Sequence, residues 1–546
     1  MIKRIAAAAL SCVMILIVSF SSGAAEIDNA AIGANTDAAI VAADYEEVGG
    51  TLEPTAALPS TYSSLDAGFT TPVRSQRFNT CWVYSSTATL ESLLLKNHQP
   101  AVHLSTMHMN YWGCEHDNKT GWYRNYSNAG YPYIALGYLT SYGCITDSLF
   151  NDGKEPEDYQ ALNDSLYPYQ IADGIVYLNS NDRDTVKTAI YDYGGVVGNF
   201  HHNGAYLNDY TYAYYFDTPG LATRDLNGHA IEIVGWDDNY AVENFLSNHR
   251  PFSPGAWLCK NSWGSGWGNG GYFWISYEDL YLFDSRFGPS YAITSFTPAT
   301  AVKKMKQNET YGATYEFKYV QEARPSLTKM TYANVLDFSD KYHKIDEVVF
   351  ESTSEGSNYS VYYIPVDDSG VPVTNTSQWT LLAQGTIGYQ GYINANCYGF
   401  EAPAAKGAIG VQIEKNGSTD IKIGVDEWLT SGGRYLFKPD STYGQSYLIG
   451  FNAEPIDIMD FYQSKLDDSV GGTFVIKALC SSDEKVGDVD RDGAFTILDV
   501  TAAQRSLANI LVLDDVQKRF ADFNNDGSSD VTDCTLMQRK LAGLLV

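Results

Sequence analysis

Three windows far apart in the chain each present one residue of a different chemical kind, and a fold must bring all three together for any one of them to work. The first is Thr71-Pro-Val-Arg-Ser-Gln76-Arg-Phe-Asn-Thr-Cys81-Trp82, the second Asn227-Gly-His229-Ala-Ile-Glu-Ile-Val-Gly-Trp236, and the third Asn261-Ser-Trp263-Gly-Ser-Gly-Trp-Gly-Asn-Gly-Gly-Tyr-Phe273. A thiol, an imidazole and a side-chain amide are the nucleophile, the base and the group that orients the base in thiol-dependent acyl transfer. The chain from Cys81 to Asn97 has no Gly or Pro and carries apolar residues at Trp82, Leu90, Leu93 and Leu94, which predicts a helix with Cys81 at its start. A thiol there feels the positive end of the helix dipole, which favours thiolate. His229 opens the strand-like run Ala230-Ile-Glu-Ile-Val234. Asn261 is placed to accept from its far ring nitrogen, Trp263 to cover that bond, and Gln76 to supply an amide N–H beside the Cys81 backbone N–H where an oxyanion develops.

The rest of the chain bounds the setting. At 546 residues it is too long for one core. Acidic residues outnumber basic ones 65 to 36, for a formal charge of −29, which argues against a nucleic-acid partner. Met1-Ile-Lys3-Arg4, an apolar run to about Phe20 and small residues before Glu26 describe a secretory signal peptide over 1–25, and no later segment reads as a membrane span. Residues 26–57 read as a linker or short pro-segment, and residues 298–480 alternate strand-like runs with turn clusters, the texture of an antiparallel sandwich. Setting Cys81 aside, Cys114, Cys144, Cys259, Cys397, Cys480 and Cys534 admit fifteen disulfide pairings or remain reduced. His108, His116, His201 and His202 read as structural; His201-His202 has no third metal ligand at a convincing spacing. Trp379 and Trp428 read as core before sugar platforms.

Residues 481–546 contain a duplication. Gly487-Asp488-Val-Asp490-Arg-Asp492-Gly493-Ala494-Phe-Thr496-Ile497-Leu498-Asp499 returns as Ala521-Asp522-Phe-Asn524-Asn-Asp526-Gly527-Ser528-Ser-Asp530-Val531-Thr532-Asp533. Each copy has oxygen donors at positions 1, 3, 5, 9 and 12, Gly at 6, and Ala494 or Ser528 at 7 to offer a carbonyl. That is a loop curved around a hard cation, and two copies imply two calcium ions.

The three windows, with Leu104-Ser105, Asn128-Ala129-Gly130-Tyr131 and Tyr167-Pro168-Tyr169, resemble papain-family cysteine peptidases over residues 58–297. The resemblance implies a helical subdomain plus a β-barrel subdomain, peptide-bond hydrolysis through a thioester at Cys81, and substrate backbone pairing near Gly130, with Trp263 also in the cleft. The middle region resembles the lectin-like domain of clostridial surface proteins, which implies a possible glycan ligand. The duplicated module resembles type I dockerins, all-α and calcium-binding. This implies a scaffoldin cohesin as partner, contacted by Ile497, Leu498, Gln504, Arg505, Val531, Thr532, Gln538 and Arg539, and a secreted, cellulosome- or surface-attached enzyme.

The chain also departs from the papain-family pattern. Gln76 lies one residue nearer the nucleophile than usual, and the positions of a family disulfide hold Phe78 and Ser127. Residues 239–255 form an insertion between the His and Asn strands, and the family's long inhibitory prodomain is replaced by residues 26–57. The shortened loop admits a second reading, a weak or inactive papain-like module serving adhesion.

Overall fold

The structure, a computed structural model, describes residues 52, 54, 57–114, 121–122, 124–151, 170–179, 182–298, 303–308, 315–317, 326–417, 420–427, 429–431, 434–438, 441–450, 454–465, 471–524 and 526–544. The expected signal peptide, nearly all of the short pro-segment, His116, Tyr167-Pro168-Tyr169 and Trp428 lie outside the described residues.

Helix α1, Cys81–Lys96, forms as expected and is buried on every side through Leu94. Its small polar residues make that burial possible. The Ser86 and Thr87 hydroxyls donate to the carbonyls of Trp82 and Val83 within the helix, so neither hydroxyl needs water. Helices α2 (Thr106–Trp112) and α3 (Pro132–Ser141) pack beside it, and the Ser105 hydroxyl caps α2 by accepting from His108 N.

Across the cleft is a sheet built from β2 (Gln170–Leu178), β3 (Val196–His201), β4 (Gly228–Asp237), β5 (Ala256–Lys260), β6 (Tyr272–Ser276) and β7 (Ser290–Pro298), with α4 (Arg183–Tyr193) against it. Strand β1 (Thr61–Ser63) pairs antiparallel with the end of β4. Residues 239–255 form the connection between β4 and β5, as expected for the insertion, and are tied down by Asn208 and Thr211 donating to Asn244 O.

The sandwich contains β8 (Lys329–Asp337), β9 (Lys344–Ser352), β10 (Asn358–Pro365), β11 (Thr380–Thr386), β12 (Gly391–Glu401), β13 (Lys406–Glu414), β14 (Ser446–Ile449) and β15 (Ile476–Ser481). Five of these lie in one sheet in the order β11, β10, β13, β8, β14. The others do not close on themselves. The order runs β15, β9, β12, β2, β7, β3, β4, β5, β6, one continuous sheet that takes in β4, carrying His229, and β5, leading to Asn261. Its seam pairs Gly391 with Val176 and Tyr392 with Ile175. Val349, Tyr392 and Val475 share one apolar cluster with Cys81, Trp82 and Leu90. Lys477 is fully buried in the seam and donates to the hydroxyls of Thr140 and Ser141 at the end of α3, at 2.8 and 2.6 Å. A cation at a helix C-terminus is favourable, and here it ties sandwich to helix. Trp379 is partly buried and donates to Val373 O, as expected for a core role.

Helices α5 (Ile497–Leu507), α6 (Asp515–Ala521) and α7 (Val531–Leu541) form the C-terminal module around Val489, Val500, Phe520 and Met537. Among the described residues no helix is long and apolar enough to cross a membrane. All seven described cysteines are buried, and none is bridged to another.

The seam yields a prediction. Gly391 has φ +142°, and a Cβ there would stand 2.0 Å from the Ile175 carbonyl oxygen. Gly391→Ala is expected to cost about 3 kcal/mol through backbone strain and steric conflict. Chemical denaturation followed by tryptophan fluorescence checks it; an unchanged midpoint would show that the seam does not bear on stability.

Candidate active site

The three windows converge. Cys81 starts α1 and is completely buried; its Sγ accepts from the Ala230 backbone N–H at 3.5 Å, one residue from His229. His229 sits at the start of β4, and its Nε2 meets Asn261 Oδ1 at 2.8 Å. The other ring nitrogen, Nδ1, is buried with no hydrogen-bond partner. Because Asn261 Oδ1 only accepts, Nε2 carries the hydrogen and Nδ1 is left with its lone pair, the form a base needs. Trp263 stacks on the imidazole with ring centres 4.8 Å apart, and Trp267 meets Trp263 edge-on. Four of the five glycines that follow take left-handed conformations (among them Gly264 φ +80° and Gly271 φ +95°), folding the segment so that Asn261 N donates to Gly271 O.

Burial dominates the protonation of both groups. It pushes the Cys81 thiol up to about 11, against backbone N–H donors at Ala230, Trp82 and Cys81 itself. It pushes His229 down to about 3, with a smaller contribution from His202 and opposition from Asn261. A lone charge is therefore disfavoured on either residue. A proton passed from Sγ to Nδ1 creates both charges together, and their attraction offsets part of the cost. Thiolate thus comes with imidazolium as a pair.

Gln76 reaches the same cleft. Its Oε1 accepts from Ser262 Oγ at 2.7 Å, its backbone N–H donates to Ser262 O, and its Nε2 donates to Phe78 O at 2.9 Å. One of the two Nε2 hydrogens is used there and the other remains for a ligand. Gly130 is buried face-on to Trp82, and a Cβ would stand 2.5 Å from the indole, so only glycine brings the backbone this close. At the positions of the absent family bridge, Phe78 packs edge-on against Tyr126 at 5.3 Å, while Ser127 is exposed and bonds Asn125.

Sequence reasoning did not single out the charges beneath the cleft. Arg74 lies two residues before Gln76, Glu91 is on the Cys81 helix, Glu232 is on the His229 strand, and Lys260 directly precedes Asn261. Arg74 Nη2 meets Glu91 Oε1 at 3.3 Å, Lys260 Nζ meets Glu232 Oε2 at 3.1 Å, and Lys260 also donates to Thr71, whose hydroxyl donates to Glu91. The signal was present as charges inside otherwise apolar strands, Ile231-Glu232-Ile233 and Trp257-Leu-Cys-Lys260. His202, read as structural, is also a cleft wall, with its ring centre 5.1 Å from that of Trp263. His108 is structural as expected, held between Tyr138 and Trp112.

The chain from Cys81 to Asn261 is similar to proteins of known kind. The papain family cysteine protease model matches residues 58–282, a lectin like domain residues 307–479 and a dockerin type I domain residues 486–542. The solved protease and lectin-like domains of Cwp84, a surface layer associated protein of Clostridium difficile, are 34% identical, covering 80% of this chain and 91% of that one with a TM-score of 0.68. Clostridial Cwp84 after propeptide cleavage is likewise 34% identical and wholly covered, with a TM-score of 0.67. The chain belongs to the papain family of cysteine proteases. Among curated relatives, a cysteine protease of Blomia tropicalis is 26% identical and procathepsin L of Rattus norvegicus 27%, each matching 40% of this chain. The chain covers 63% and 60% of their respective lengths. The family assignment, the papain-like fold with its lectin-like domain and the dockerin all agree with the expectations from sequence.

The dockerin loops fit calcium. Carboxylate oxygens of Asp488, Asp490 and Asp492 lie within 4.8 Å of one another. Asp488 accepts from Asp492 N and Gly493 N, and Asp522 accepts from Asp526 N and Gly527 N, so each loop curls around its first aspartate. Asp499 and Asp533, at position 12, close a capping box with Thr496 and Asp530. Burial, then the neighbouring Asp533 charge, push the Asp522 carboxyl up to about 7. Ala494, Asn524 and Ser528 complete the two curves. Ile497, Leu498, Gln504 and Arg505 on α5 and Val531, Thr532, Gln538 and Arg539 on α7 are all exposed.

Burial raises the Glu91 carboxyl, but the His103 contact, the Arg74 and Lys260 charges and the Thr71 hydroxyl outweigh it and hold the carboxyl below its ordinary value. A depressed carboxyl stabilises the fold fully above the unfolded value, and that contribution is lost as pH falls through the lower folded value. Glu91→Gln leaves Arg74 and Lys260 short of a counter-charge and is expected to cost about 3–5 kcal/mol at neutral pH. Urea titrations across pH should show the variant's deficit shrinking as acid protonates Glu91 in the wild type. A deficit independent of pH would contradict the charge account.

Proposed function

We propose that this chain is a secreted cysteine endopeptidase that works while anchored through its dockerin to a cohesin-bearing scaffold, as in a cellulosome. The observation that carries the reading is the Cys81–His229–Asn261 arrangement. His229 has one ring nitrogen fixed by Asn261 and the other free and buried, and Cys81 Sγ lies against the adjacent residue.

The steps follow from those atoms. His229 Nδ1 takes the Cys81 proton, and Sγ attacks the scissile carbonyl carbon. The carbonyl oxygen becomes an oxyanion facing the Cys81 backbone N–H and the remaining Gln76 Nε2 hydrogen. The C–N bond breaks as His229 returns its proton to the departing amine, leaving a thioester on Cys81. Water then attacks the thioester, His229 accepts a water proton, and the acid product leaves as the proton returns to Sγ. Trp263 keeps solvent from the His229–Asn261 bond throughout, and backbone near Gly130 pairs with the extended substrate.

In the C-terminal module, Asp488, Asp490, Asp492, Thr496 and Asp499, with the Ala494 carbonyl, would hold one calcium. Asp522, Asn524, Asp526, Asp530 and Asp533, with the Ser528 carbonyl, would hold the second. Calcium supplies the positive charge that the gathered carboxylates lack. The exposed residues of α5 and α7 then offer a face for the cohesin. The dockerin and the surface-layer protease among the solved neighbours support an extracellular or cell-surface location. A glycan ligand for the lectin-like domain remains part of the proposal.

One experiment tests both halves. The full chain, reduced, is expected to degrade unfolded casein. Cys81→Ala should lower the rate at least ~10³-fold while leaving the melting temperature within a few degrees. Calcium chelation should abolish retention on an immobilised type I cohesin and spare casein cleavage. Cleavage that survives Cys81→Ala would overturn the catalytic half, and retention that survives chelation would overturn the anchoring half.

A further inference from the structure

The loop between Gln76 and Cys81 is one residue short of the usual pattern and has no bridge, yet the Gln76 amide is held in a defined place. We propose that Phe78 is the positioning residue that replaces the bridge. Its ring pins a left-handed turn whose carbonyl orients the Gln76 amide toward the oxyanion. This inference rests on the peptidase reading above and deepens it.

Four observations converge on Phe78. Its φ is +66°, a conformation that side-chain-bearing residues avoid and glycine adopts freely. The turn therefore holds a bulky residue where a small one would be easier, which calls for a compensating role of the ring. That ring is gripped on several sides. Tyr126 meets it edge-on at 5.3 Å, and the Arg77 guanidinium lies 4.9 Å from its centre. Met107, Ile145 and Phe150 form the apolar cluster on which it rests.

The left-handed turn also directs the Phe78 carbonyl at Gln76 Nε2, 2.9 Å away. A carbonyl can only accept, so this contact and the Ser262 hydroxyl on Oε1 fix which end of the amide is which. The Thr80 hydroxyl donates to Arg77 O at 2.6 Å and ties the same turn to the start of α1. Tyr126 is held in turn, its carbonyl accepting from Asn110 Nδ2 at 2.8 Å. The contact joins the same two chain segments that a disulfide between positions 78 and 127 would join. Aromatic packing thus does noncovalently what the chain lacks covalently, in a protein whose described cysteines are all unbridged.

The test separates oxyanion geometry from thiol reactivity. Iodoacetamide alkylation of Cys81 needs the thiolate and no oxyanion site. A peptide aldehyde adds the Cys81 S–H across its C=O, and the resulting hemithioacetal oxygen needs that site. In the full chain, Phe78→Ala and Phe78→Gly are expected to weaken aldehyde inhibition and lower kcat about tenfold or more, with KM and the alkylation rate within about twofold of wild type. The glycine variant matters because it removes the ring while relieving the backbone. Phe78→Trp should restore most of the loss. If a Phe78 variant fails to fold, Tyr126→Leu releases the ring from the other side and should show the same split. Wild-type aldehyde affinity in the Phe78→Gly protein, or an equal fall in alkylation, would overturn the inference. Failure of the wild type to be alkylated at Cys81 would instead overturn the peptidase reading itself.

Discussion

Four charges beneath the cleft, three of them buried and Arg74 partly so, hold the site to its frame. Arg74, Glu91, Glu232 and Lys260 come one each from the segments that carry Gln76, Cys81, His229 and Asn261, and the two ion pairs are joined through the Thr71 hydroxyl. Burying charges is costly, and pairs of this kind seldom stabilise a fold relative to apolar packing. Their value is in register. A slip of any one segment would strand a charge, so the alternatives to the observed arrangement are the ones penalised. The helix, the two strands and the loop of the site are thereby cross-referenced from below, while Trp263 and Trp267 close it from above.

The second constraint is the shared sheet. Strands β12 and β2 pair across what sequence texture suggests is a boundary, and Lys477 and Tyr392 of the sandwich reach the core beneath the Cys81 helix. The lectin-like region is thus part of the scaffold that holds α1 and α3. The calcium module makes a lighter contact through Thr146 and Ser148, which donate to Asp526 O, and Gly527 closes on Leu149. It keeps its own small core.

Much of this was legible in the chain itself. Cys81, His229 and Asn261 announced themselves because each sits in a window whose neighbours serve the same chemistry, such as the glycines that fold Asn261 back toward Gly271. The calcium loops were legible because a hard cation imposes fixed oxygen spacing and a glycine turn, twice. The helix from Cys81 was read to within a residue of its end. The ion network was not seen, because pairings between segments far apart in sequence leave no periodicity, only an out-of-place Glu232 or Lys260. The joined sheet was hidden for the same reason: β12 looks like any sandwich strand until it meets β2. The clasp at Phe78 was visible only as a missing cysteine, since a left-handed φ at phenylalanine cannot be read from composition.

Hydrolysis by this route depends on Cys81 Sγ as the atom that carries the acyl group. A slowly hydrolysed peptide ester mixed with the full chain and quenched in acid, followed by peptide-level mass spectrometry, observes that bond directly. The expected result is a transient acyl mass on the peptide containing Cys81 that disappears as product forms and never accumulates in the Cys81→Ala protein. Turnover with no acyl mass on Cys81, or an adduct on another cysteine that rises and falls with product, would contradict it.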